Sequence, residues 1–490
     1  MGDTKHMTQV SAGSDPEGID RSCRWPVVLL FAGAMTWLLL GLTMGLFSSI
    51  KMHAPGFWAQ CEWVSYGRLR PAFMDAVLYG FIAQAALGCS LWMISRLSRT
   101  ELRLPGIAGI GALVLNGGVA FGILQVLAGQ TTGFTWMEIP REGASIIVGG
   151  YALVALSALY TLHKRAEKQV YISVWFLLAG LLVFPWLMSM GYMLAVVDPL
   201  RGVMQAVVNA YFVNGLTYLW LTPMALGVAY YLLPKVTGKA LRSADAGVFS
   251  FWTLVIFGGW SGLSLMADGP LPRWLLGVGV SAKWLLAVPA ASYTINCMAT
   301  WFGGKASANE GVAWPYVLLG SISFPAFVAL DILSTVGSAP RTLLFTTYSQ
   351  GVVHLAVFGF AALLFLGAMA HIWERILGAS FSRRAPFVAH VLLSLFGILL
   401  IVGSYLLGGV AYGAKLADPT VAFTAASGTL TAFIRSATTG YLLLLIAQII
   451  LALAFLRSLI TNTAKLRSDF CDWCCGQRSA GSDKKVRVRA

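Results

Sequence analysis

The stretch YSQGVVHLAVFGF, Tyr348–Phe360, sets one histidine, His354, inside an apolar run that extends from about residue 343 to 372. That run contains no Asp, Glu, Lys or Arg. At 1.5 Å per residue, a helix of this length exceeds the ~30 Å hydrocarbon core of a bilayer. The stretch therefore reads as a membrane span. The same kind of run recurs along the 490 residues, at roughly 25–50, 72–95, 106–128, 144–162, 170–197, 204–233, 246–267, 275–301, 312–333, 387–412 and 433–459. With 343–372 these make twelve. Hydrophobic residues make up 58% of the chain and charged residues 11%, against about a quarter charged in soluble domains. The fold class is an all-α integral membrane protein, a single bundle of about twelve helices; a barrel would show short alternating strands instead.

The net charge of +14 invites a nucleic-acid reading, but its placement argues otherwise. Twelve spans put both tails and the even-numbered loops on one side. That side holds 24 of the 34 Lys and Arg, counting Arg457 at the edge of the last span. Clusters at Arg96, Arg99 and Arg103, at Lys164, Arg165 and Lys168, and at Lys235, Lys239 and Arg242 carry much of it. Such asymmetry orients a membrane protein with the basic side inward. It predicts cytoplasmic termini and a multi-pass membrane protein, with lipid and no nucleic acid as its surroundings. Residues 1–24 read as a disordered tail, 25–460 as the membrane domain, and 461–490 as a basic tail.

Seven cysteines are scattered, and no disulfide framework follows from them. The tail motif CDWCC, Cys471–Cys475, has no histidine after it, so covalent haem attachment is not suggested. A free or acylated cysteine cluster is favoured there over a metal site. Ionisable residues within the spans are few: Asp75, Lys283, Asp331, His354 and Arg435. Such residues are the first place to seek function. Asp75 and Arg435 lie near helix ends and are expected to reach water. Lys283 and Asp331 need a partner or a wet cavity, and nothing in the sequence brings them together. His371 and His390 lie near helix ends.

Three stretches carry a family resemblance. YGRLRPAFMDAVLYGF (Tyr66–Phe81), YLWLTPMALGVAYYLLPK (Tyr218–Lys235) and FWTLVIFGGWSGLSLMADGPLPRW (Phe251–Trp274) resemble the second, sixth and seventh helices of cbb3-type cytochrome c oxidase catalytic subunit I. This is the C-type branch of the haem–copper oxidase superfamily. Weaker echoes at Tyr171–Phe176, Ile295–Thr300 and Gly408–Gly413 fall in the same order. The resemblance implies a subunit I-like bundle and a site built on six histidines, two for a low-spin haem, one for a high-spin haem and three for copper.

At the matched positions most of those histidines are missing. The helix-two ligand corresponds to Phe73, the helix-six copper ligand to Asn214, and the adjacent helix-seven pair to Ser264 and Leu265. The tyrosine that the family cross-links becomes Gly258. On helix ten the family's His-Val-His reads Val352, Val353, His354, so one low-spin haem ligand position keeps its imidazole. Allowing one insertion, Asp331 matches an acidic residue of helix nine.

Three functional readings follow. The favoured one is a catalytically inactive relative that keeps the scaffold without catalytic residues, metal or cofactor. It would act as a structural or assembly subunit beside a catalytic oxidase subunit and membrane-anchored cytochromes c, and would not be an enzyme on its own. Here His354 is a core histidine bonded to a Tyr, a Ser or a backbone carbonyl. The second keeps one haem b on His354, with Met74 the nearest substitute ligand, although it is turned about 100° from Phe73 around the helix. The third is a transporter, which needs Lys283, Asp331 and His354 along one wet path.

Overall fold

A computed structural model describes residues 14–266, 269–303, 311–378, 381 and 384–463. Twelve helices are long and apolar enough to cross a membrane. We label them α1 (Pro16–His53), α2 (Tyr66–Ser98), α3 (Pro105–Leu127), α4 (Arg141–His163), α5 (Ile172–Val197), α6 (Val203–Thr237), α7 (Ala244–Met266), α8 (Arg273–Phe302), α9 (Trp314–Leu333), α10 (Tyr348–Leu377), α11 (Ala385–Leu416) and α12 (Phe423–Thr461). No strand occurs among the described residues. The chain is an all-α multi-pass membrane protein.

Burial divides the helices into two groups. In α2, α6 and α10 the most apolar window is 89–100% buried, whereas no other helix exceeds 56%. These three form the middle of the bundle and the rest surround them. Leu113, Leu182, Phe396 and Leu453 stand exposed on the outer helices, as side chains facing lipid do. Two outer helices meet backbone to backbone: a Cβ on Gly397 of α11 would lie 2.9 Å from the carbonyl oxygen of Gly440 on α12. Lipid gives helices no hydrophobic reason to associate, so small residues that permit such approach supply dispersion contact instead.

Each central helix contains a π-helical turn: Ala76–Ile82 in α2, Leu216–Leu221 in α6 and Leu355–Ala362 in α10. Such turns insert a residue into the ladder, re-aim the side chains around them and gather at functional sites. In α6 the turn precedes Pro223, which has no N–H to donate; the Thr222 hydroxyl bonds the Thr217 carbonyl at 2.7 Å. The turns begin three residues after Phe73, two after Asn214 and one after His354.

The disordered tail expected over residues 1–24 is corrected from Pro16 onward, where α1 begins with proline in its first turn. Polar composition suggested a free segment, but those polar groups have partners. The Trp92 indole donates to Asp20 at 2.8 Å, Arg96 pairs with the same carboxylate at 3.5 Å, and Arg24 donates to the Ile376 carbonyl. The CDWCC motif lies outside the described residues.

Candidate functional site

His354 is 1% exposed and its ring is engaged on both sides. Nδ1 lies 2.6 Å from the carbonyl oxygen of Gln350, one turn earlier on α10. A carbonyl only accepts, so Nδ1 carries the proton and Nε2 is left as acceptor. The Tyr441 hydroxyl of α12 donates to Nε2 at 2.5 Å. Tyr405 of α11 sets its ring 5.1 Å from the imidazole.

Phe73 of α2 faces the same imidazole at 6.1 Å between centroids. It stacks on Phe358 at 6.2 Å and meets Tyr441 edge-on at 5.6 Å. Behind it, a Cβ on Gly45 of α1 would lie 2.9 Å from the phenyl ring, so the ring fills the space up to the α1 backbone. Arg70 covers Phe73 at 5.5 Å and bonds the Gln350 side chain at 3.3 Å. These residues do not fit a haem iron on Nε2: its lone pair already accepts from Tyr441, and the opposing Phe73 has no lone pair.

The other matched positions converge elsewhere. Asn214 of α6, Ser264 and Leu265 of α7, and Val352 of α10 line one cavity of about 170 Å³. Three helices thus bring these residues to one place. Their polar atoms serve the scaffold. Asn214 donates to the Gly258 carbonyl at 2.6 Å and accepts from the Ser261 hydroxyl at 2.8 Å, and Ser264 donates to the Ser261 carbonyl at 2.7 Å. No imidazole lines the cavity, and an amide and a hydroxyl so engaged do not fit copper. Among the described residues, no group of three His, Cys, Asp or Glu is placed to hold a metal ion.

One wall of the cavity is polar. Lys283 of α8 donates to Asp331 Oδ1 at 3.0 Å, and the Tyr218 hydroxyl of α6 donates to Oδ2 at 2.6 Å. Lys283 and Asp331 therefore partner each other, and both line the cavity. His354 is not part of that lining, so the three groups a transport path would need do not share one space.

Asp75 departs from expectation. It is fully buried and does not reach water, because the segment between α3 and α4 folds over it. In that segment Met137 and Ile139 are fully buried, and the Trp136 and Ile139 carbonyls accept from Tyr79 and Tyr192. The Glu138 carboxyl meets that of Asp75, a contact that is a hydrogen bond only while one of the two is protonated. Burial pushes Glu138 up to about 7. Arg435, by contrast, is exposed.

His371 and His390 lie near helix ends in sequence; His390 is fully buried and His371 partly so. His390 bonds Tyr316 and Gln448 at 2.8 Å each, and His371 packs between the rings of Trp92 and Tyr231. Glu138, Tyr405 and Tyr441 had no place in the sequence reading. The available signal was that a tyrosine inside an apolar span needs a partner for its hydroxyl.

The fold agrees with comparison to known proteins. The family model described as cytochrome C and quinol oxidase polypeptide I matches residues 26–450, and the chain belongs to that family. It is similar to the cbb3-type cytochrome c oxidase subunit CcoN1 of Stutzerimonas stutzeri, at 23% identity over 77% of this chain and 81% of the relative. A cytochrome c oxidase subunit 1 homolog of Azorhizobium caulinodans is 26% identical over 78% of this chain and 71% of that one. Among solved structures, a heme-copper terminal oxidase dimer determined by cryo-EM superposes with a TM-score of 0.70 at 15% identity. It covers 91% of this chain and 84% of its own, a likeness of fold. The chain is a haem–copper oxidase subunit I-like membrane protein.

Proposed function

We propose that this chain is a degenerate subunit I that carries neither haem nor copper and does not reduce oxygen. It serves as a structural or assembly subunit of a respiratory complex in a bacterial inner membrane, with both termini cytoplasmic. The observation that carries this reading is the convergence of Asn214, Ser264, Leu265 and Val352 on one cavity with no imidazole among them. If those positions were mismatched to the family's ligands, three helices would have no reason to bring them together. The reading also draws on His354, whose hydrogen bonds to Gln350 and Tyr441 give it a structural role. A catalytic oxidase subunit and membrane-anchored cytochromes c are the partners that a retained scaffold would pack against.

The test is haem and copper per chain, by pyridine haemochrome assay and elemental analysis, on protein separated from co-purifying cytochromes. Neither cofactor is expected at more than trace occupancy. One haem per chain that disappears in His354→Ala would overturn the proposal in favour of a retained electron-transfer site.

A further inference from the structure

We infer that a basic hollow between the start of α1 and the ends of α2 and α6 binds the phosphate group of a small ester, with glycerol 3-phosphate as the type.

The hollow has a volume of about 420 Å³. Ligand sites commonly measure about 300–1,000 Å³, so the space exceeds a bare phosphate ion and admits an ester. Arg96, Arg99 and Lys235 line it, and among the described residues no carboxylate does. Arg375, at the end of α10, stands near enough to Arg96 for the two charges to repel.

Orientation in the membrane explains why this side is basic, but not why its charges share one hollow, because that rule counts Lys and Arg over whole loops. Like charges gathered in one place repel, and an anion between them relieves the repulsion. Two carboxylates approach from outside the walls: Asp20 pairs with Arg96 and Glu167 with Arg99, each at 3.5 Å. Among the described residues Lys235 pairs with no carboxylate. Its ammonium lies 5.9 Å from the centre of the Tyr231 ring, which is itself part of the wall. Arg96 reaches both Asp20 and the Pro16 carbonyl through Nη1, so the rest of its planar fork can meet a ligand. A phosphate monoester suits this set, with about two negative charges and three acceptor oxygens; a carboxylate brings one charge.

The backbone gives a separate indication. Arg99 closes α2 with φ of 50°. Glycine or asparagine ordinarily takes that left-handed position, because a larger side chain strains it. Arginine there sets a positive charge in the wall at the expense of strain, and such strain gathers at ligand clamps.

The three cations follow the apolar runs of their helices within a few residues, at the depth of the headgroup layer. A phosphate at that depth comes from water or from a lipid headgroup. α2 and α6 stand in the middle of the bundle, which favours the water-borne ester.

Calorimetry on the purified full-length protein in a neutral detergent should show saturable binding of glycerol 3-phosphate. It should be at least tenfold tighter than that of glycerate, which carries a carboxylate instead. Lys235→Gln should weaken binding at least fivefold. Arg99→Gly should also weaken it while leaving the thermal transition no lower, because strain is relieved as the charge is removed. Arg457→Gln, near the end of α12 and outside the hollow, should leave binding unchanged. Dihexanoylphosphatidylglycerol, with dihexanoylphosphatidylcholine as its zwitterionic control, tests the second source. A preference for the former that is lost in Lys235→Gln would uphold the site and assign its phosphate to lipid. Equal affinity for glycerate, binding unchanged by both substitutions in the hollow, or equal weakening by Arg457→Gln would each overturn the inference, the last by making it an effect of surface charge at large. So would failure of both glycerol 3-phosphate and the anionic lipid to bind. None of these outcomes depends on haem content, so the functional proposal above stands or falls separately.

Discussion

The Tyr441 hydroxyl lies 2.5 Å from Nε2 of His354, joining α12 to α10. Both groups are buried, and neither has water as an alternative. Tyr441→Phe leaves Nε2 an unsatisfied acceptor, at about 1–3 kcal/mol. The thermal transition should fall by several degrees. In His354→Leu the same tyrosine change should cost measurably less, and a double-mutant cycle should return about 1 kcal/mol of coupling. A coupling near zero would mean that the bond adds nothing beyond packing.

Phe73→His sets an imidazole opposite His354, but Nε2 remains with Tyr441. The single variant should therefore take up no haem. Opening the position as Phe73→His with Tyr441→Ala should yield a low-spin, bis-histidine Soret spectrum at up to one haem per chain. Haem uptake by the single variant would show that Tyr441 yields readily, and that Phe73 alone closes the site.

How much of this was legible follows from the kind of signal each feature leaves. The twelve spans were readable because lipid forces each crossing to be a long apolar helix with its own hydrogen bonds. The two-sided distribution of basic residues was readable because it is a loop property. Asp75 was misread for a physical reason: closeness to a helix end was equated with access to water, and the cover formed by Met137, Glu138 and Ile139 depends on how a loop folds. The Lys283–Asp331 pair joins residues 48 apart on different helices, which no local pattern records. At the N-terminus, composition hid the fact that Asp20 has Trp92 and Arg96 waiting for it.

That ion pair makes its own prediction. Lys283→Met leaves the Asp331 carboxylate with Tyr218 as its remaining side-chain donor, and breaking a buried pair costs about 3–5 kcal/mol. Asp331 is partly exposed at 19%, so the lower end of that range is expected. Replacing both partners, as Lys283→Met with Asp331→Leu, should recover most of the loss, because no charge is left stranded. Thermal denaturation in one detergent gives the comparison. A double variant as unstable as the single one would show that packing around Lys283, rather than its charge, holds α8 to α9.

Glu138 supplies the pH dependence. Burial raises its carboxyl to about 7, and Arg70 opposes part of that rise. The unfolded chain releases the same proton near 4.3. Between these values the folded protein holds a proton that the unfolded chain has lost, so unfolding becomes easier as pH increases. The contribution is fully present below about pH 4.3, is lost as pH rises towards 7, and is flat above. Its size is on the order of 4 kcal/mol, at about 1.4 kcal/mol for each pH unit of separation. Glu138→Gln keeps the shape and removes the titration. Its thermal midpoint should therefore vary less between pH 4.5 and 7 than that of the parent. If the two profiles decline in parallel, the proton that α2 and the α3–α4 segment share is not held by this carboxyl.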